Sequence, residues 1–380
     1  MRIASFDLVP YRLPLAEPVV WNGERRETRE GVLLRLEDAH GRAGWGDAAP
    51  LPGFSRETAA EAADALRTVL PALDGVDPDT RDLLSPRGGF HTALDAAGLP
   101  SSARFALDLA LADLAAQEQG RTLPQALHPD PAVVLPLNGL LMSDRDAVVA
   151  GAGRLAAEGY AAAKLKVGRQ SVEDDAETVR AVSAALGGVA LRLDANRAWS
   201  VDQATAFARA IEGVPLDYLE EPTPDAANHP ALWLDTGLPL ALDETLQEPS
   251  GEAHLRGWAA AAVLKPTLVG GLMAALRLAA AARAVGVRAV LSASFESGVG
   301  LRGIAACAAT TGAEPAGLDT YRWLAEDVVP PLPFDRPRVD LPALFAAPPG
   351  SWSVSSSASG RPVSSHRAGW SAASGVGSSR

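Results

Sequence analysis

The sequence predicts an α/β protein in which a small N-terminal α+β unit precedes a barrel of strand–helix units. From about residue 132 onward, eight short runs rich in β-branched residues and leucine alternate with alanine-rich helical stretches. The residues that end these runs lie 22 to 29 positions apart, which is about the length of one βα unit. Eight near-equal units favour closure into a (β/α)₈ barrel over a doubly wound open sheet.

The first hundred or so residues have the pattern of a small α+β unit. Strands are expected at residues 2–14, 30–36 and 42–49, the last two forming a hairpin. Ser55 is expected to cap a helix that runs to about Leu73, whereas residues 74–100 are rich in Asp, Pro and Gly and predict loops. Phe105–Ala116 is almost wholly apolar, so this helix must be buried between layers.

The barrel strands are expected at Val133–Gly139, Ala162–Val167, Val189–Asp194, Leu216–Glu220, Pro239–Asp243, Ala261–Lys265, Arg288–Ser294 and Ala316–Asp319. We therefore divide the chain into an N-terminal domain at 1–120, a barrel at 121–325 and a C-terminal segment at 326–348 that returns to the first domain. Residues 349–380 are dominated by Ser, Gly and Ala, and we expect this tail to be disordered.

Composition and charge exclude several classes of protein. The formal net charge of −12 argues against a nucleic-acid or anionic membrane surface. No apolar stretch is long enough to span a bilayer, and the N-terminus lacks the apolar region of a signal peptide. The single cysteine, Cys307, allows no internal disulfide, which fits a reducing cytoplasm. We expect a cytoplasmic protein that acts on a small molecule, as a monomer.

Lysine is almost absent from this chain. Lysine and arginine together number 34, yet the only lysines are Lys164, Lys166 and Lys265. A GC-rich genome would let surface lysines drift to arginine, so the three that remain need an explanation. Arginine cannot release its proton near neutral pH, whereas lysine in a suitable environment can. The retained lysines are therefore candidates for acid–base chemistry.

Polar side chains cluster where the expected barrel strands end, which is where barrel enzymes place their active sites. Strand alternation points six of them into the barrel: Lys164, Lys166, Asp194, Glu220, Asp243 and Lys265. The three acids fall on consecutive strands, and neighbouring carboxylates cannot all stay ionised without a cation. Hard oxygen ligands select Mg²⁺ or Mn²⁺ over zinc.

The lysines flank these acids in strand order, so that Lys166 and Lys265 face each other across the barrel mouth. Such a site suits removal of a proton from the carbon beside a carboxylate, with a metal stabilising the enediolate and a lysine taking the proton. Taken singly, an acid at a strand end is more often a helix cap, and a lone lysine is usually a surface residue. The joint pattern, in phase with the repeat, favours the catalytic interpretation.

Five motifs at these strand ends resemble those of the enolase superfamily, on its muconate-lactonizing side. They are Lys164-Leu165-Lys166, Asp194-Ala195-Asn196, Glu220-Glu221-Pro222, Asp243-Glu244 and Lys265-Pro266. The resemblance covers about residues 1–345 and implies an enolase-like fold, with an α+β capping domain plus a modified (β/α)₈ TIM barrel. It implies that the three acids hold Mg²⁺, for which Mn²⁺ substitutes. It also implies that Lys166 is the principal base, that Lys164 assists it and that Lys265 lies on the opposite face.

Further stretches are similar to the o-succinylbenzoate synthase family. They are residues 44–47, 50–58, 137–140, 193–199, 292–298 and 317–320. This likeness implies dehydration of 2-succinyl-6-hydroxy-2,4-cyclohexadiene-1-carboxylate to 2-succinylbenzoate, on the path to menaquinone. Lys166 would take the α-proton and return it to the departing hydroxyl, while Lys265 stays cationic. Asp47 departs from the family pattern, which has glutamate at this position.

The loop after the seventh run has three interpretations. Gly298–Gly303 matches G-x-G-x-x-G between a strand and a helix, which alone is a weak dinucleotide signal. An anion site at the helix start, holding a substrate carboxylate, fits better. An equal alternative is that these glycines only allow the helix to pack tightly against the strand. The expected substrate-binding residues are Ser294, Glu296, Ser297, Gly298, Asn196 and Phe54.

Other functions remain open on the same residues. An N-acylamino acid racemase, including one for N-succinylamino acids, would use Lys166 and Lys265 as paired bases. A dipeptide epimerase or a muconate cycloisomerase fits the stretch at 50–55 less well. Outside this chemistry, an NAD-dependent oxidoreductase would bind nicotinamide and be indifferent to EDTA, and a non-catalytic barrel would tolerate arginine at position 166.

Overall fold

The computed structural model describes residues 1–21, 23–312 and 314–346. The expected tail at 349–380 and the end of the expected C-terminal segment lie outside this part of the chain. The described residues form a three-stranded antiparallel sheet, a parallel sheet of seven strands and a two-stranded antiparallel pair. None of the helices in these ranges is long and apolar enough to cross a membrane.

The N-terminal sheet consists of β1 (Ile3–Trp21), β2 (Glu24–Asp38) and β3 (Ala43–Ala48). The helices that follow are α1 (Ala59–Val69), α2 (Thr80–Leu83), α3 (Gly89–Ala96), α4 (Ser101–Glu118) and α5 (Leu123–Leu127), with a 3₁₀ turn at Leu70–Leu73. The three strands and the buried helix α4 agree with the expectation from the sequence.

Two local expectations for this region are wrong. Thr58 caps α1 in place of Ser55, because Thr58 and Glu61 form a capping box with two reciprocal hydrogen bonds. Residues 74–100 contain α2 and α3 and are not loops throughout. The side chain of Asp79 caps the N-terminus of α2. An aspartate that contributes to the prediction of a loop therefore begins a helix here.

Helix α4 packs against β3, and glycine permits the close approach. A Cβ at Gly46 would lie 1.8 Å from the carbonyl oxygen of Ala106, and one at Gly44 would lie 2.2 Å from that of Ala110. Any larger residue would therefore push the sheet away from the helix. Packing thus accounts for both glycines of the Gly-Trp-Gly stretch.

The rest of the chain alternates strands and helices. The strands are β4 (Val134–Pro136), β5 (Asn138–Leu141), β6 (Ala162–Lys166), β7 (Ala190–Asp194), β8 (Tyr218–Glu220), β9 (Leu240–Leu242), β10 (Ala259–Leu264), β11 (Arg288–Leu291) and β12 (Arg338–Asp340). The helices are α6 (Arg145–Glu158), α7 (Val172–Leu186), α8 (Val201–Ala210), α9 (His229–Thr236), α10 (Pro266–Val269), α11 (Leu272–Ala284), α12 (Gly298–Thr311) and α13 (Leu341–Leu344). Short 3₁₀ turns lie at Ala226–Asn228, Glu244–Gln247, Gly251–His254 and Asp319–Trp323.

Strands β5 to β11 form one parallel sheet in chain order, and a two-residue bridge closes it into a barrel. Gly317 exchanges backbone hydrogen bonds of 2.9 Å with residues at and just after the end of β11. The N–H of Ala316 donates to the carbonyl of Pro136 at 2.8 Å, and the carbonyl of Ala316 accepts from the N–H of Asn138 at 2.9 Å. The expected eighth strand, Ala316–Asp319, is therefore wrong as a full strand and is reduced to this bridge. The fold class, an α+β capping domain with a modified (β/α)₈ barrel, is confirmed.

The end of the described chain lies against both halves of the molecule. Leu324 forms a β-bridge with Leu15 of β1, and the N–H of Ala325 donates to the carbonyl of Pro14 at 2.9 Å. Further on, β12 pairs antiparallel with β4. The division into domains at 1–120, 121–325 and 326–348 stays a prediction.

A charged cluster fills the amino-terminal end of the barrel. The guanidinium of Arg192 lies 2.8 Å from Asp217 and 3.4 Å from Glu314, and that of Arg288 lies 2.7 Å from Asp217. Both guanidinium groups lie over the ring of Tyr218, at 5.0 and 5.7 Å from its centroid. The barrel is thus plugged at this end, and the carboxyl ends of the strands form its mouth.

Asp113 of α4 is a buried acid that should make stability depend on pH. Burial raises its pKa from 3.8 to about 7, although Arg302, the Trp45 N–H and Gln117 act in the opposite direction. The folded state therefore binds an extra proton between these values, and the unfolding free energy falls as pH rises through this window. We expect Asp113→Asn, which cannot ionise, to gain about 4 kcal/mol relative to the wild type between about pH 4 and pH 8, as a pKa difference of about three units implies. Urea unfolding at both pH values measures this, and a pH-independent difference would contradict it.

Candidate active site

Six polar side chains converge on the carboxyl ends of the barrel strands. Strand β6 carries Lys164 and Lys166, β7 ends in Asp194, β8 ends in Glu220, and Asp243 and Lys265 directly follow β9 and β10. The parallel register aligns Lys166, Asp194 and Glu220 across three neighbouring strands. The structure therefore brings together all six residues that the sequence points into the barrel.

Asp194, Glu220 and Asp243 form a buried acidic triad. One carboxylate oxygen from each lies within 4.8 Å of the others, and none of the three residues is more than 1% exposed. Three acids at this distance are stable together only where positive charge compensates them. A set of carboxylate oxygens suits a hard cation, so these residues fit a divalent metal site.

Two lysines of β6 supply part of that compensation. Lys164 Nζ lies 2.6 Å from Asp194 and 2.5 Å from Glu220. Lys166 Nζ donates to Asp194 Oδ2 and to Asn196 Oδ1, both at 2.6 Å. Asn196 lies in the left-handed region, with φ of 44°, and its side-chain oxygen accepts from the Lys166 amine. The position of the Lys166 amine is thus fixed by two acceptors.

The surroundings shift the pKa values of Lys166 and Lys265, which face each other across the triad, in opposite directions. Burial lowers the pKa of Lys166, and the charges of Lys164 and Lys265 add to this effect against the opposing effect of Asp194. Burial also acts to lower the pKa of Lys265, but the adjacent Asp243 outweighs it and the pKa rises. Of these two amines, Lys166 is the one that releases its proton more readily.

The surroundings also shift the pKa values of two of the acids, Asp194 and Glu220, in opposite directions. Burial acts to raise the pKa of Asp194, but Lys164, Lys166 and Lys265 together hold it well below its usual range. For Glu220 burial prevails and raises the pKa to about 8, despite the attraction of Lys164. Glu220 therefore needs further positive charge nearby to ionise near neutral pH.

Glu221 fixes the loop that carries Asp243. Its buried carboxylate accepts hydrogen bonds from the N–H groups of Asp243 and Thr245 at 2.8 and 2.9 Å. It also accepts from the Thr245 hydroxyl at 2.9 Å and from Arg197 at 3.1 Å. Sequence reasoning missed this role because alternation turns Glu221 away from the barrel. The Glu-Glu-Pro motif thus supplies one acid of the triad and positions the next.

A cavity lies above the triad, between the barrel mouth and the N-terminal domain. Its apolar wall is formed by Val20, Trp21, Leu51, Phe54, Leu140, Met142 and Phe295. Trp21 and Phe295 pack edge to face, with 4.9 Å between ring centroids. Asn138 Oδ1 and Thr320 Oγ1 are buried in the lining and have no hydrogen-bond partner among the described residues. The cavity therefore offers a few hydrogen-bonding groups within apolar surroundings.

The expected substrate-binding residues divide into two groups. The described lining of the cavity includes Phe54, Asn196 and Ser294 but not Glu296, Ser297 or Gly298. Glu296 turns into the protein, where it accepts hydrogen bonds from the Thr267 hydroxyl and the Ser294 N–H, both at 2.6 Å. Glu296 therefore shapes the loop without facing the cavity.

The expected anion site at the start of α12 stays a prediction, but the N–H groups of Ser297 and Gly298 already have partners within the protein. Asp47 accepts hydrogen bonds from the N–H and the hydroxyl of Ser297 at 2.9 and 2.7 Å, and also from the Tyr11 hydroxyl at 2.8 Å. Asp327 accepts from the Gly298 N–H at 3.0 Å. Two carboxylates of the protein itself thus occupy these N–H groups. Asp47, which departs from the family pattern, ties the capping sheet to this helix.

Arg29 of β2 is a second residue that sequence reasoning missed, because it lies in a run of charged residues that reads as a solvated face. Its buried guanidinium donates to the carbonyl oxygens of Pro50 at 2.7 Å and Phe295 at 3.0 Å, and also to that of Ala49. Phe295 has φ of 63°, in the left-handed region. Arg29 therefore ties the loop that leads to Phe54 to the loop after β11, across the cavity wall.

A parallel barrel whose strands end in a buried acidic triad between lysine-bearing strands, beneath a capping sheet, defines the enolase class of metal-dependent enzymes. Residues 147–348 match the enolase C-terminal domain-like family. Residues 3–112 match the MenC N-terminal domain. The chain belongs to the o-succinylbenzoate synthase family of this class.

Relatives named o-succinylbenzoate synthase align with most of the chain. The protein of Photorhabdus laumondii is 33% identical, over 87% of this chain and 93% of its own. That of Klebsiella pneumoniae is 34% identical, over 88% and 96%. That of Edwardsiella ictaluri is 36% identical, over 82% and 89%.

Solved structures support the same fold. The muconate lactonizing enzyme of Pseudomonas fluorescens has a TM-score of 0.82 at 23% identity, over 93% of this chain and 97% of its own. A dipeptide epimerase of Methylococcus capsulatus, complexed with Mg and a dipeptide, has a TM-score of 0.77 at 25% identity, over 90% and 97%.

Proposed function

We propose that this protein dehydrates 2-succinyl-6-hydroxy-2,4-cyclohexadiene-1-carboxylate to 2-succinylbenzoate, the o-succinylbenzoate synthase reaction of menaquinone biosynthesis. The observation that carries the proposal is the acidic triad between lysine-bearing strands, in a chain whose relatives bear that name. The protein is thus proposed as a hydro-lyase acting on a small carboxylate in the cytoplasm. A monomeric state stays a prediction.

Asp194, Glu220 and Asp243 would hold Mg²⁺, with Mn²⁺ as a substitute, because hard carboxylate ligands suit these ions. When bound, the ion supplies positive charge that stabilises the enediolate form of the substrate carboxylate. Through such an ion the triad would hold that carboxylate and bring the acidic carbon close to the Lys166 amine.

Lys166 takes the proton from the ring carbon that bears the carboxylate. Its amine is held by Asp194 and Asn196, which fixes its direction. The resulting ammonium gives the same proton to the departing hydroxyl on the same face, so one water leaves and the ring becomes aromatic. The positive charge of Lys164, which contacts Asp194 and Glu220, assists by favouring the neutral form of Lys166.

Lys265 acts on the opposite face as a fixed cation. Its amine contacts Asp243, which keeps the ammonium in place at the cavity floor. A cation at this position stabilises the negative charge that develops on the substrate as the proton leaves. Substrate oxygens would find further hydrogen bonds at Asn138 and Thr320, whose buried polar atoms have no described partner.

The test is turnover of the cyclohexadiene substrate by the purified protein, followed through the loss of substrate absorbance. Turnover that requires Mg²⁺ or Mn²⁺ and stops with EDTA would support the proposal. A folded, Mg²⁺-loaded protein that leaves the substrate unchanged would contradict it.

Glu220→Gln removes one charge from the triad while keeping its shape. We expect Mg²⁺ affinity to fall at least about tenfold, because one of three anionic ligands is lost. A metal at a hundred times its Kd stabilises the folded state by about 2.7 kcal/mol, so Mg²⁺ should raise the Tm of the wild type far more than that of the variant. Glu212→Gln, at an exposed position, is the control and should respond as the wild type. An undiminished Mg²⁺ effect in Glu220→Gln would count against this metal site.

An N-succinylamino acid racemase is the second candidate. Lys166 and Lys265 contact different acids, on different sides of the triad, which is the placement that two-base racemisation requires. Deuterium uptake from D₂O at the α-carbon of an N-succinylamino acid, without dehydration of the cyclohexadiene, would favour this reaction over the first.

A further inference from the structure

We propose that Arg169 binds the terminal carboxylate on the succinyl arm of the substrate. This inference rests on the proposed function, since that substrate carries two carboxylates. The ring carboxylate belongs at the acidic triad, where the proton is removed. The second carboxylate therefore needs a cationic partner elsewhere in the cavity or at its edge.

The turn that carries Arg169 is fixed next to the base. Gly168 has φ of 82°, and a Cβ there would lie 2.6 Å from that of Ala198. The Gly168 N–H donates to the carboxylate of Asp175 at 2.7 Å. Only glycine fits this conformation and this space. Arg169 thus follows Lys166 by three positions on a turn that has little freedom to move.

Of the charged residues that line the cavity, Arg169 is the one without a hydrogen-bond or ion-pair partner among the described residues. It lines both the inner cavity and the cleft that opens from it toward solvent. Its guanidinium makes no hydrogen bond or ion pair with another described residue. The lysines contact the triad, and Asp319 lies 3.3 Å from Arg322 and 3.4 Å from Arg336. A ligand carboxylate that reaches the edge of the cavity therefore meets a guanidinium that has no partner among the described residues.

The chemistry of the site favours this contact. A carboxylate beside Trp21, Phe54 and Met142 loses part of its hydration and is stable there only with a charged partner. The planar guanidinium presents two parallel N–H groups that match the two carboxylate oxygens. Arg169 is exposed, so it stays hydrated in the free protein and needs no partner until the ligand arrives.

Binding of two ligands to the Mg²⁺-loaded protein tests the contact. 2-Succinylbenzoate carries the terminal carboxylate, and 2-butanoylbenzoate has a methyl group in its place. By calorimetry, we expect Arg169→Gln to weaken 2-succinylbenzoate about tenfold and to leave 2-butanoylbenzoate unchanged, as loss of a charge-assisted hydrogen bond predicts. In steady-state kinetics, KM should rise by a similar factor while kcat changes little.

Arg56→Gln is the matched control, because Arg56 is an exposed arginine that lines the outer cleft but is not among the residues of the inner cavity. We expect it to leave the difference between the ligands intact. If both variants lost the same affinity for 2-succinylbenzoate, the overall charge of the cleft would account for the effect, and the proposed contact with Arg169 would be overturned. An equal loss for both ligands in Arg169→Gln would overturn it as well, while turnover by the wild type would leave the proposed function standing. Absence of that turnover would overturn both.

Discussion

Lys166→Arg should lower kcat for dehydration of the cyclohexadiene substrate by at least about a thousandfold. A guanidinium stays protonated at any pH the protein tolerates, so it cannot accept the α-proton. The substitution keeps a positive charge beside Asp194 and therefore tests proton transfer more than electrostatics. Loss of substrate absorbance gives the rate.

Metal and product binding separate this effect from misfolding. The three acids are unchanged in Lys166→Arg, so Mg²⁺ should still raise the Tm and 2-succinylbenzoate should still bind. Lys166→Gln, whose side chain is shorter, covers the case in which a guanidinium does not fit the space. Turnover within about tenfold of the wild type in either variant would rule out Lys166 as the base.

Arg29→Met should lower the free energy of unfolding by about 3 kcal/mol or more. Methionine fills much of the same volume, but the carbonyl oxygens of Ala49, Pro50 and Phe295 lose a buried donor. Phe295 also loses a contact that holds its left-handed backbone, so the cavity wall should loosen and KM should rise. Urea unfolding and steady-state kinetics measure the two effects.

Arg35→Met, on the same strand, is the control for this prediction. Arg35 forms partly exposed ion pairs with Asp7 and Glu37. Such pairs contribute about 1 kcal/mol or less. If both variants lost the same stability, the buried hydrogen bonds of Arg29 would be worth no more than a surface pair.

The barrel and the cluster of acids and lysines at its mouth can be predicted from the sequence, because two periodicities of the sequence place the same residues at that end. The βα repeat sets where each strand ends, and alternation within the strand sets which side chain points inward. Lys166, Asp194 and Glu220 satisfy both, and they lie side by side in the register of β6, β7 and β8. Neither period depends on contacts between distant parts of the chain, which is why the pattern sufficed.

The features that the sequence does not predict lie where distant parts of the chain meet. Nothing near Ser297 in sequence indicates that Asp47, 250 positions earlier, takes its N–H and hydroxyl. Arg29 reads as one of several solvated charges, because burial in a strand depends on which carbonyl groups arrive from elsewhere. The expected eighth strand failed for a similar reason, since two residues already supply the hydrogen bonds that close the barrel.

The confinement of lysine to the acidic triad has a practical consequence for spectroscopy. All three ε-amino groups of the chain surround one site. Lysine enriched in a heavy nitrogen isotope at its side chain would therefore give magnetic resonance signals from the amines of this site alone. Their chemical shifts would report which amine carries a proton before and after metal or ligand is added, with no substitution and no foreign label in the protein.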